Sequence, residues 1–415
     1  MAAAHKWAFR SKLRTRAFGW RGSKTAITRL KEAVSEIKKV ARTDPLSAGD
    51  GAVTLMERLW PAFQDIDTSS GALGRAVNKT LDTVIPILIV APADPITRAA
   101  WLERLYGAVQ EDGVEYLFPA EERWGEIATY PEIMNDHADR LLPIVRWVWS
   151  KDSPGGYVRG DTICLSSLLE VGRYTDLLEL LSCARMKFWS NHRFGAEALV
   201  RQGLYDAAMA YAEGCRVQDI RSYDETRIDR FCEDTLIKAG REEEAYRLYG
   251  LHTAQGTTYL AAYRETLRRY PAKDKRQVLL DLVRSRGDKG KWFAAAKDAG
   301  FLDIALECAS SRDAEPATLI RAARDFTASE PQFAVQVALS ALRSLLSGGG
   351  YDPSPTDLHV AYGHLIAAAS ELGADDWAID QAVQIAEGRC ASDRENFRTA
   401  LASIVADGSQ HKADG

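Results

Sequence analysis

Residues 203–208, Gly-Leu-Tyr-Asp-Ala-Ala, hold the pattern that decides the fold. A glycine in this position ends a helix, because glycine adopts the left-handed C-cap conformation at little cost. Asp206 then complements the positive N-terminus of the next helix, and the small side chain of Ala208 lets the two helices approach closely. The same order of residues recurs in three further segments: 172–177, 240–245 and 300–305. The pattern therefore predicts a repeated helix–turn–helix unit.

The spacing of these glycines indicates the class of repeat. A weaker fifth copy begins at Gly373 and continues with Asp375, Asp376 and Ala378, and the five glycines are 31, 37, 60 and 73 residues apart. The two long gaps hold degenerate copies, at Tyr270-Pro271 and at Ser329-Glu330-Pro331. With those copies included, the mean spacing is close to the period of about 34 residues that tetratricopeptide (TPR) repeats show.

The rest of the chain also has helical periodicity. Apolar residues recur at three- and four-residue steps from Ile27 to Val40, with Ser23 as the expected N-cap. Asp94-Pro95 predicts a second helix start, an N-cap followed by proline at the first helical position. Few segments alternate apolar and polar residues over the length of a strand. We therefore predict an all-α protein, an α-solenoid of stacked helical hairpins.

Residues 160–405 resemble a TPR-like α-solenoid. The phrases at 193–199, 203–208 and 291–300, together with the stretch from Phe18 to Lys39, also resemble an uncharacterised bacterial family of unknown function. The first resemblance implies a helical-repeat fold with an extended binding surface. The second implies no activity.

The first part of the chain has a different style. Residues 23–152 predict longer helices with proline at their junctions (Asp44-Pro45, Trp60-Pro61, Ala91-Pro92 and Tyr130-Pro131), which resembles HEAT-type hairpins. The turn-rich stretch 153–161 is the expected boundary between this HEAT-like block and the TPR-like block. Residues 1–22 form a basic arm, and residues 406–415 are expected to be a flexible tail.

The arm carries the most suggestive chemistry. The formal net charge is -5, yet residues 1–31 contain nine Lys or Arg and no acid. Aromatic residues (Trp7, Phe9, Phe18 and Trp20) interleave with the cations Lys6, Arg10, Lys12, Arg14, Arg16, Arg21 and Lys24. Such a pattern suits nucleic acid, since arginine pairs with phosphate and aromatics stack on bases. There are four alternatives to nucleic acid. The arm could bind an acidic partner protein or the acidic body of this chain, it could be an organellar presequence, or it could pack onto the first helices through Phe18 and Trp20.

Motifs for catalysis, metals and cofactors are not found. Residues 19–25 resemble a phosphate-binding loop but have Ser23 where that loop needs glycine. The six cysteines form no C-x-x-C pair, which predicts no zinc site and favours a reduced cytoplasmic setting. His137 is expected on a solvated helix face, and His359 and His364 as an exposed and a packed histidine. Glu121-Glu122 is expected to complement a helix dipole or to solubilise the surface. We predict no cofactor and no enzymatic activity.

A binding role follows from the architecture. Exposed aromatics and arginines carry most of the binding energy at interfaces, so two groups are the expected partner-binding residues: Lys187, Trp189, His192 and Arg193, and Lys289, Lys291, Trp292 and Lys297. The predicted function is an interaction scaffold for a protein or peptide. The alternatives are a nucleic-acid-associated adaptor that uses the arm, and an enzyme with an unrecognised site between the two blocks, near residues 150–195, although no titratable residues converge there in the sequence. No apolar run reaches the roughly 18–20 residues that span a membrane.

Overall fold

The computed structural model describes residues 5–216, 223–254, 256–388 and 390–413, and over these residues the regular structure is entirely helical. The all-α prediction is confirmed: consecutive helices pack against each other along the chain, without a strand in the described ranges. Contacts divide the chain into two compact units, residues 1–231 and 232–415. No helix in the described residues has both the length and the apolarity needed to cross a bilayer.

The first unit combines short and long helices. Its helices are α1 (Phe9–Lys12), α2 (Ser23–Ala41), α3 (Pro45–Met56), α4 (Leu59–Phe63), α5 (Ala72–Val90), α6 (Pro95–Glu111), α7 (Phe118–Glu122), α8 (Trp124–Ala128), α9 (Pro131–Trp149), α10 (Asp161–Glu170), α11 (Tyr174–Cys183), α12 (Trp189–Arg201) and α13 (Tyr205–Glu213). Helix α14 (Tyr223–Lys238) contains the residues at which the two units are divided.

The second unit continues with hairpins of shorter helices and ends with longer ones. Its helices are α15 (Glu242–Ala245), which runs on as a π-helical turn (Tyr246–Gly250), α16 (Tyr259–Arg269), α17 (Lys275–Ser285), a 3-10 turn (Lys289–Trp292), α18 (Phe293–Asp298), α19 (Leu302–Ala309), α20 (Pro316–Phe326), α21 (Pro331–Leu346), α22 (Pro355–Ser370), α23 (Asp375–Glu387) and α24 (Glu395–Ala413).

The five predicted glycine turns share one geometry. Each glycine has a positive φ, from 62° at Gly373 to 85° at Gly300. In each turn the amide after the glycine donates to the carbonyl five residues before it, as from Leu204 to Leu199 at 2.9 Å. This bond satisfies a helix-terminal carbonyl and defines the Schellman motif. The equivalent donors are Arg173, Arg241, Phe301 and Ala374, with distances of 2.9, 2.9, 3.0 and 3.0 Å.

The residues after each glycine also behave as the pattern predicts. The following helix begins two residues later, with an acidic residue in its first turn in all five cases. The residue five places after the glycine is completely buried in every copy: Leu177, Ala208, Ala245, Ala305 and Ala378. The pattern therefore specifies both the turn and the contact that brings the two helices together.

The helix starts of the first unit were predicted with mixed success. Asp94 caps α6 by accepting from the Thr97 amide at 2.7 Å, as expected. Ser23 is not a cap: it is the first residue of α2, and its hydroxyl donates to the Asp67 carbonyl at 3.0 Å. Pro61 lies inside α4 rather than between helices.

Gly113, two residues after the end of α6, is not a left-handed helix-terminating glycine. Its φ is not positive, but a Cβ at this position would lie 2.5 Å from the Trp60 ring. Close packing against this ring, rather than a left-handed turn, is what a larger residue would disturb.

A buried arginine closes the end of α5. Arg98 is 1% exposed and donates to the carbonyls of Leu88 and Ala91, both at 2.6 Å. These carbonyls lie at the helix C-terminus, where the partial negative charge of the helix favours a cation. Burial lowers the pKa of Arg98, which has carbonyl acceptors rather than a carboxylate.

A buried carboxylate organises the start of the second unit. Glu233 is completely buried and accepts hydrogen bonds from Thr253 at 2.6 Å, Arg269 at 2.9 Å and Tyr270 at 2.7 Å. A carboxylate with this many donors is held in one orientation. It joins α14 to α16 and to the degenerate repeat turn at Tyr270-Pro271.

The stretch 153–161 is an irregular segment within the first unit. It connects α9 to α10, and those two helices pack directly against each other. One apolar core of this unit extends from Trp7 to Ala198. The division into a HEAT-like and a TPR-like block therefore stays a prediction about the kind of helical hairpin in each part. The apolar core is continuous across the predicted boundary.

Substitution of a turn glycine tests this account. We expect Gly203→Ala to lower the free energy of unfolding by about 1 kcal/mol, because a Cβ disfavours the φ of 74° even though nothing lies within 4 Å of it. The matched control is Gly107→Ala in α6, also with open space around the Cβ but in a helix interior. This control should stabilise the protein by about 0.5–1 kcal/mol. Denaturant unfolding of both variants measures the difference, and a Gly203→Ala variant as stable as the wild type would contradict it.

Candidate functional site

The N-terminal arm is docked onto the first helices. Trp7, Phe9, Leu13 and Phe18 are buried, at 7, 2, 1 and 8% exposure. The Glu36 carboxylate accepts hydrogen bonds from the amides of residues 8 and 9, at 2.8 and 3.2 Å. The arm is thus part of the core, as in the packed alternative, and removal of residues 1–22 would strip four core side chains from the first unit.

The cations of the arm all face solvent. Lys6, Arg10, Lys12, Arg14, Arg16, Arg21 and Lys24 are exposed. Lys12 pairs with Glu32 at 2.9 Å and Arg16 lies 3.6 Å from Asp65. Trp20, which the packed alternative placed in the core together with Phe18, is 68% exposed. The residues that alternate in the arm sequence therefore lie on two different faces of the arm. Most of the aromatic side chains are buried against the first helices, and the cations and Trp20 are exposed to solvent.

The first predicted group of binding residues is mainly structural. Trp189 and His192 are each 3% exposed, and His192 Nδ1 lies 2.6 Å from the Tyr211 hydroxyl. Burial and the nearby charge of Lys187 lower the pKa of His192 to about 4. Arg193 is half-buried and pairs with Glu122 at 2.9 Å. Core packing removes the Trp189 and His192 side chains from the expected surface, and Lys187 remains exposed.

The second predicted group lies in the second unit and divides in the same way. Trp292 is completely buried, with an edge contact to Tyr259 at 4.9 Å between ring centroids. Lys289 pairs with Glu307 at 3.3 Å, and Lys297 pairs with Asp298. Lys291 is exposed. The indole of Trp292 is thus a core element and not a surface contact.

The structure instead forms a largely apolar cleft whose lining includes Met186 and Phe188, the two chain neighbours of the exposed Lys187. The cleft has a volume of about 260 Å³ and lies between the end of α9, the loop that follows it, and the segment from α11 to α12. Its lining consists of Val148, Trp149, Gly155, Gly156, Ala184, Arg185, Met186, Phe188 and Asn191. Met186 and Phe188 are 58 and 56% exposed, so two apolar side chains of the cleft lining remain in contact with solvent. The sequence signal that could have indicated it is the run Met-Lys-Phe opposite a Gly-Gly turn.

Arg185 holds the two loops of the cleft together. Its guanidinium donates to the Ser150 carbonyl at 2.8 Å and to the carbonyls of Lys151 and Ser153. Gly155 has a φ of 81°, and a Cβ there would lie 2.9 Å from this guanidinium. The cleft walls are therefore fixed by an arginine that spans 32 to 35 residues of sequence.

Buried carboxylates lie next to this cleft. Asn191, which lines the cleft, is hydrogen-bonded to Asp161, whose pKa burial raises. Glu121 is 5% exposed, and burial together with the charge of Asp161 raises its pKa to about 8. The acidic pair at 121–122 is thus neither solubilising nor a simple dipole complement, and titratable residues do converge near 150–195, contrary to expectation.

Besides His192, one further histidine differs from the sequence prediction. His137 is 2% exposed and not on a solvated face: it contacts the edge of Trp124 with 5.4 Å between centroids. Burial and the charge of Arg140 lower the pKa of His137 to about 4. His359 is exposed and His364 half-buried. Within the described ranges, three or more His, Cys, Asp or Glu side chains are nowhere grouped so that they could hold a metal ion.

Comparisons with known proteins add little to this geometry. No protein-family model matches the chain, and no curated protein matches it in sequence. Among solved structures, the chain is similar to a "Circular tandem repeat protein with novel repeat topology and enhanced subunit contact surfaces", with 14% sequence identity, 93% of this chain and 89% of that chain covered, and a TM-score of 0.21. A score this low carries no argument about function. The resemblance to an uncharacterised bacterial family stays a prediction.

Glu121 gives the site a testable pH dependence. Because the carboxyl binds a proton more tightly in the folded chain, at a pKa of about 8 against an ordinary 4.5, stability falls as the pH rises between these values. Glu121→Gln imitates the protonated acid. We expect the variant to unfold at a higher temperature than the wild type at pH 8, with an advantage of about 2–4 kcal/mol that disappears towards pH 4.5.

The matched control is the exposed Glu111→Gln, which should change stability little at either pH. Thermal unfolding at both pH values measures the effect. An advantage of Glu121→Gln that is equal at the two pH values would show that the charge of the carboxylate is not its cause.

Proposed function

We propose that this chain is a non-catalytic interaction scaffold that binds a protein or peptide segment in the apolar cleft of its first unit. The observation that carries the proposal is the exposure of Met186 and Phe188 beside a cleft with fixed walls. Aromatic and methionine side chains in exposed clefts are typical anchors for a partner, since their apolar area is free to be buried. A helical-repeat architecture agrees with this role, because stacked hairpins present extended surfaces.

The chemistry of the cleft indicates the kind of segment it accepts. The lining is mostly apolar, with Arg185 and Asn191 as its polar side chains, and the exposed Lys187 lies between Met186 and Phe188 in the sequence. Lys151 is also exposed in the facing loop. A segment with an aromatic or branched aliphatic anchor and an acidic residue close to it would match both features. The proposed partner is therefore a peptide or loop of this composition.

A reduced cytoplasmic setting belongs to the same proposal. Three thiols, Cys164, Cys215 and Cys308, are buried in helical cores, and burial raises the pKa of each. Such thiols behave as small apolar side chains and need no oxidising compartment.

A nucleic-acid-associated adaptor is the second candidate. It is favoured by the outward-facing cations of the arm and by the exposure of Trp20. Because the arm is docked, these cations occupy defined positions, and a bound polyanion would not have to order a free tail.

Peptide display tests the primary proposal. A library of random peptides selected on the full chain should enrich sequences with an apolar anchor and an acidic neighbour. Binding of the enriched peptides should weaken by about tenfold or more with Phe188→Asp, because a charge in the cleft opposes burial of the anchor. Lys187→Glu should also lower the affinity for these peptides, and the loss of affinity should be larger at low salt than at high salt.

The control is Ile96→Asp, which changes an apolar residue of α6 that is 83% exposed and outside the cleft. This variant should bind the peptides as the wild type does. Enriched peptides that bind Phe188→Asp and Ile96→Asp equally well would exclude the cleft as the binding site.

A further inference from the structure

A second cavity lies where the arm crosses α3 and α4. Its volume is about 510 Å³, and the arm contributes Arg10, Leu13 and Thr15 to its lining. Arg58 and Pro61 also line it. This cavity is polar and independent of the apolar cleft proposed above as the peptide site.

The acidic groups of the cavity are already paired. Arg104 donates one hydrogen bond to Asp50 at 2.6 Å and one to each carboxylate oxygen of Glu57, at 2.9 and 2.6 Å. These bonds raise the pKa of Arg104. Both carboxylates are thus held by a single guanidinium, in a bidentate arrangement on Glu57.

Two arginines of the cavity lack such a partner. Arg58 donates through Nη1 to the carbonyls of Arg10 and Leu13, at 3.3 and 3.2 Å, and these neutral acceptors orient it without cancelling its charge. Arg10 is exposed and has no acidic partner among the described residues. Burial lowers the pKa of Arg58, as does the charge of Arg10, with a partial offset from Glu57. Two like charges therefore face one cavity.

We propose that this cavity binds a phosphate oxyanion between the guanidinium groups of Arg10 and Arg58. The lining carries three arginines and two carboxylates, so an anion finds an excess of positive charge, and it would relieve the repulsion between the two unpaired arginines. Arginine matches phosphate because its N–H donors lie in a planar fork. The Thr15 hydroxyl in the lining supplies a further hydrogen-bond donor.

The phosphate could come from a small molecule or from the backbone of a nucleic acid, and the surroundings favour the second. Arg14, Arg21 and Lys24 are exposed on the same arm, and Trp20 is exposed among them. A single strand gains from each additional phosphate contact and from base stacking, whereas a free phosphate uses the cavity alone.

Calorimetric titration of the full chain with inorganic phosphate, and separately with a single-stranded oligodeoxynucleotide, tests the proposal. We expect Arg10→Gln to weaken binding of the tested phosphate by roughly tenfold or more, since a charged hydrogen bond is lost. The side chain of Arg10 is exposed and its carbonyl remains available to Arg58, so this variant should fold, which its unfolding temperature in phosphate-free buffer verifies. Arg14→Gln is the control, since Arg14 is an arm cation outside the cavity lining.

The outcomes separate the two sources. Oligonucleotide binding that is tighter than phosphate binding, and that is weakened strongly by Arg10→Gln and mildly by Arg14→Gln, supports the site with a nucleic-acid backbone. Binding of inorganic phosphate that Arg10→Gln abolishes, without oligonucleotide binding, supports the site with a small phosphate. The proposal is overturned if neither probe binds, or if Arg10→Gln binds both as the wild type does.

Discussion

One hydrogen bond recurs at all five glycine turns of the repeats: the amide after a left-handed glycine donates to a carbonyl five residues earlier. The bond forms only when the intervening residue has a positive φ, which glycine adopts without a Cβ clash. It ends one helix and starts the next within two residues. The residue five places after the glycine, which is apolar or small, is buried only if this turn forms. The packing of the two helices of each hairpin therefore depends on the turn.

This constraint explains why the fold could be predicted from sequence. The turn is a local device, so Gly203, Asp206 and Ala208 carry all of it in six residues. The same holds for the Asp94 cap. Ser23 failed as a predicted cap for the opposite reason, since its hydroxyl bonds the carbonyl of Asp67, a residue distant in sequence. Gly348 makes the same turn, with a φ of 91°. The sequence pattern did not identify it, because the next helix, α22, begins only at Pro355 and not two residues after the glycine.

Little of the candidate site could be predicted, because it depends on contacts between distant segments. Glu121 has the sequence context of a surface acid, and its burial results from the packing of α7 against α10. The cleft combines residues near 150 and near 186, joined by Arg185. Conversely, Trp189 and Trp292 are of a residue type that is common at binding surfaces, but both are buried in the core. Exposure, which distinguishes a binding aromatic from a packing one, is a tertiary property.

Two buried charges among the described residues are matched by specific partners, whereas Arg10 and Arg58 of the proposed phosphate cavity are not hydrogen-bonded to a carboxylate. Arg98 caps a helix and Glu233 accepts three donors, so both are structural. Arg10 and Arg58 share a cavity in which the carboxylates belong to Arg104. Polar groups whose charge the fold leaves uncompensated are where a ligand contributes most.

Hydrogen exchange at the amides that follow the turn glycines shows whether the glycine turns form in solution. We expect slow exchange, as at helix-interior amides, because each of these amides donates to a carbonyl at 2.9–3.0 Å: Arg173, Leu204, Arg241, Phe301 and Ala374. Exchange at these five amides as fast as in an unstructured peptide would mean that the glycine turns do not form, and would contradict the repeat architecture described here.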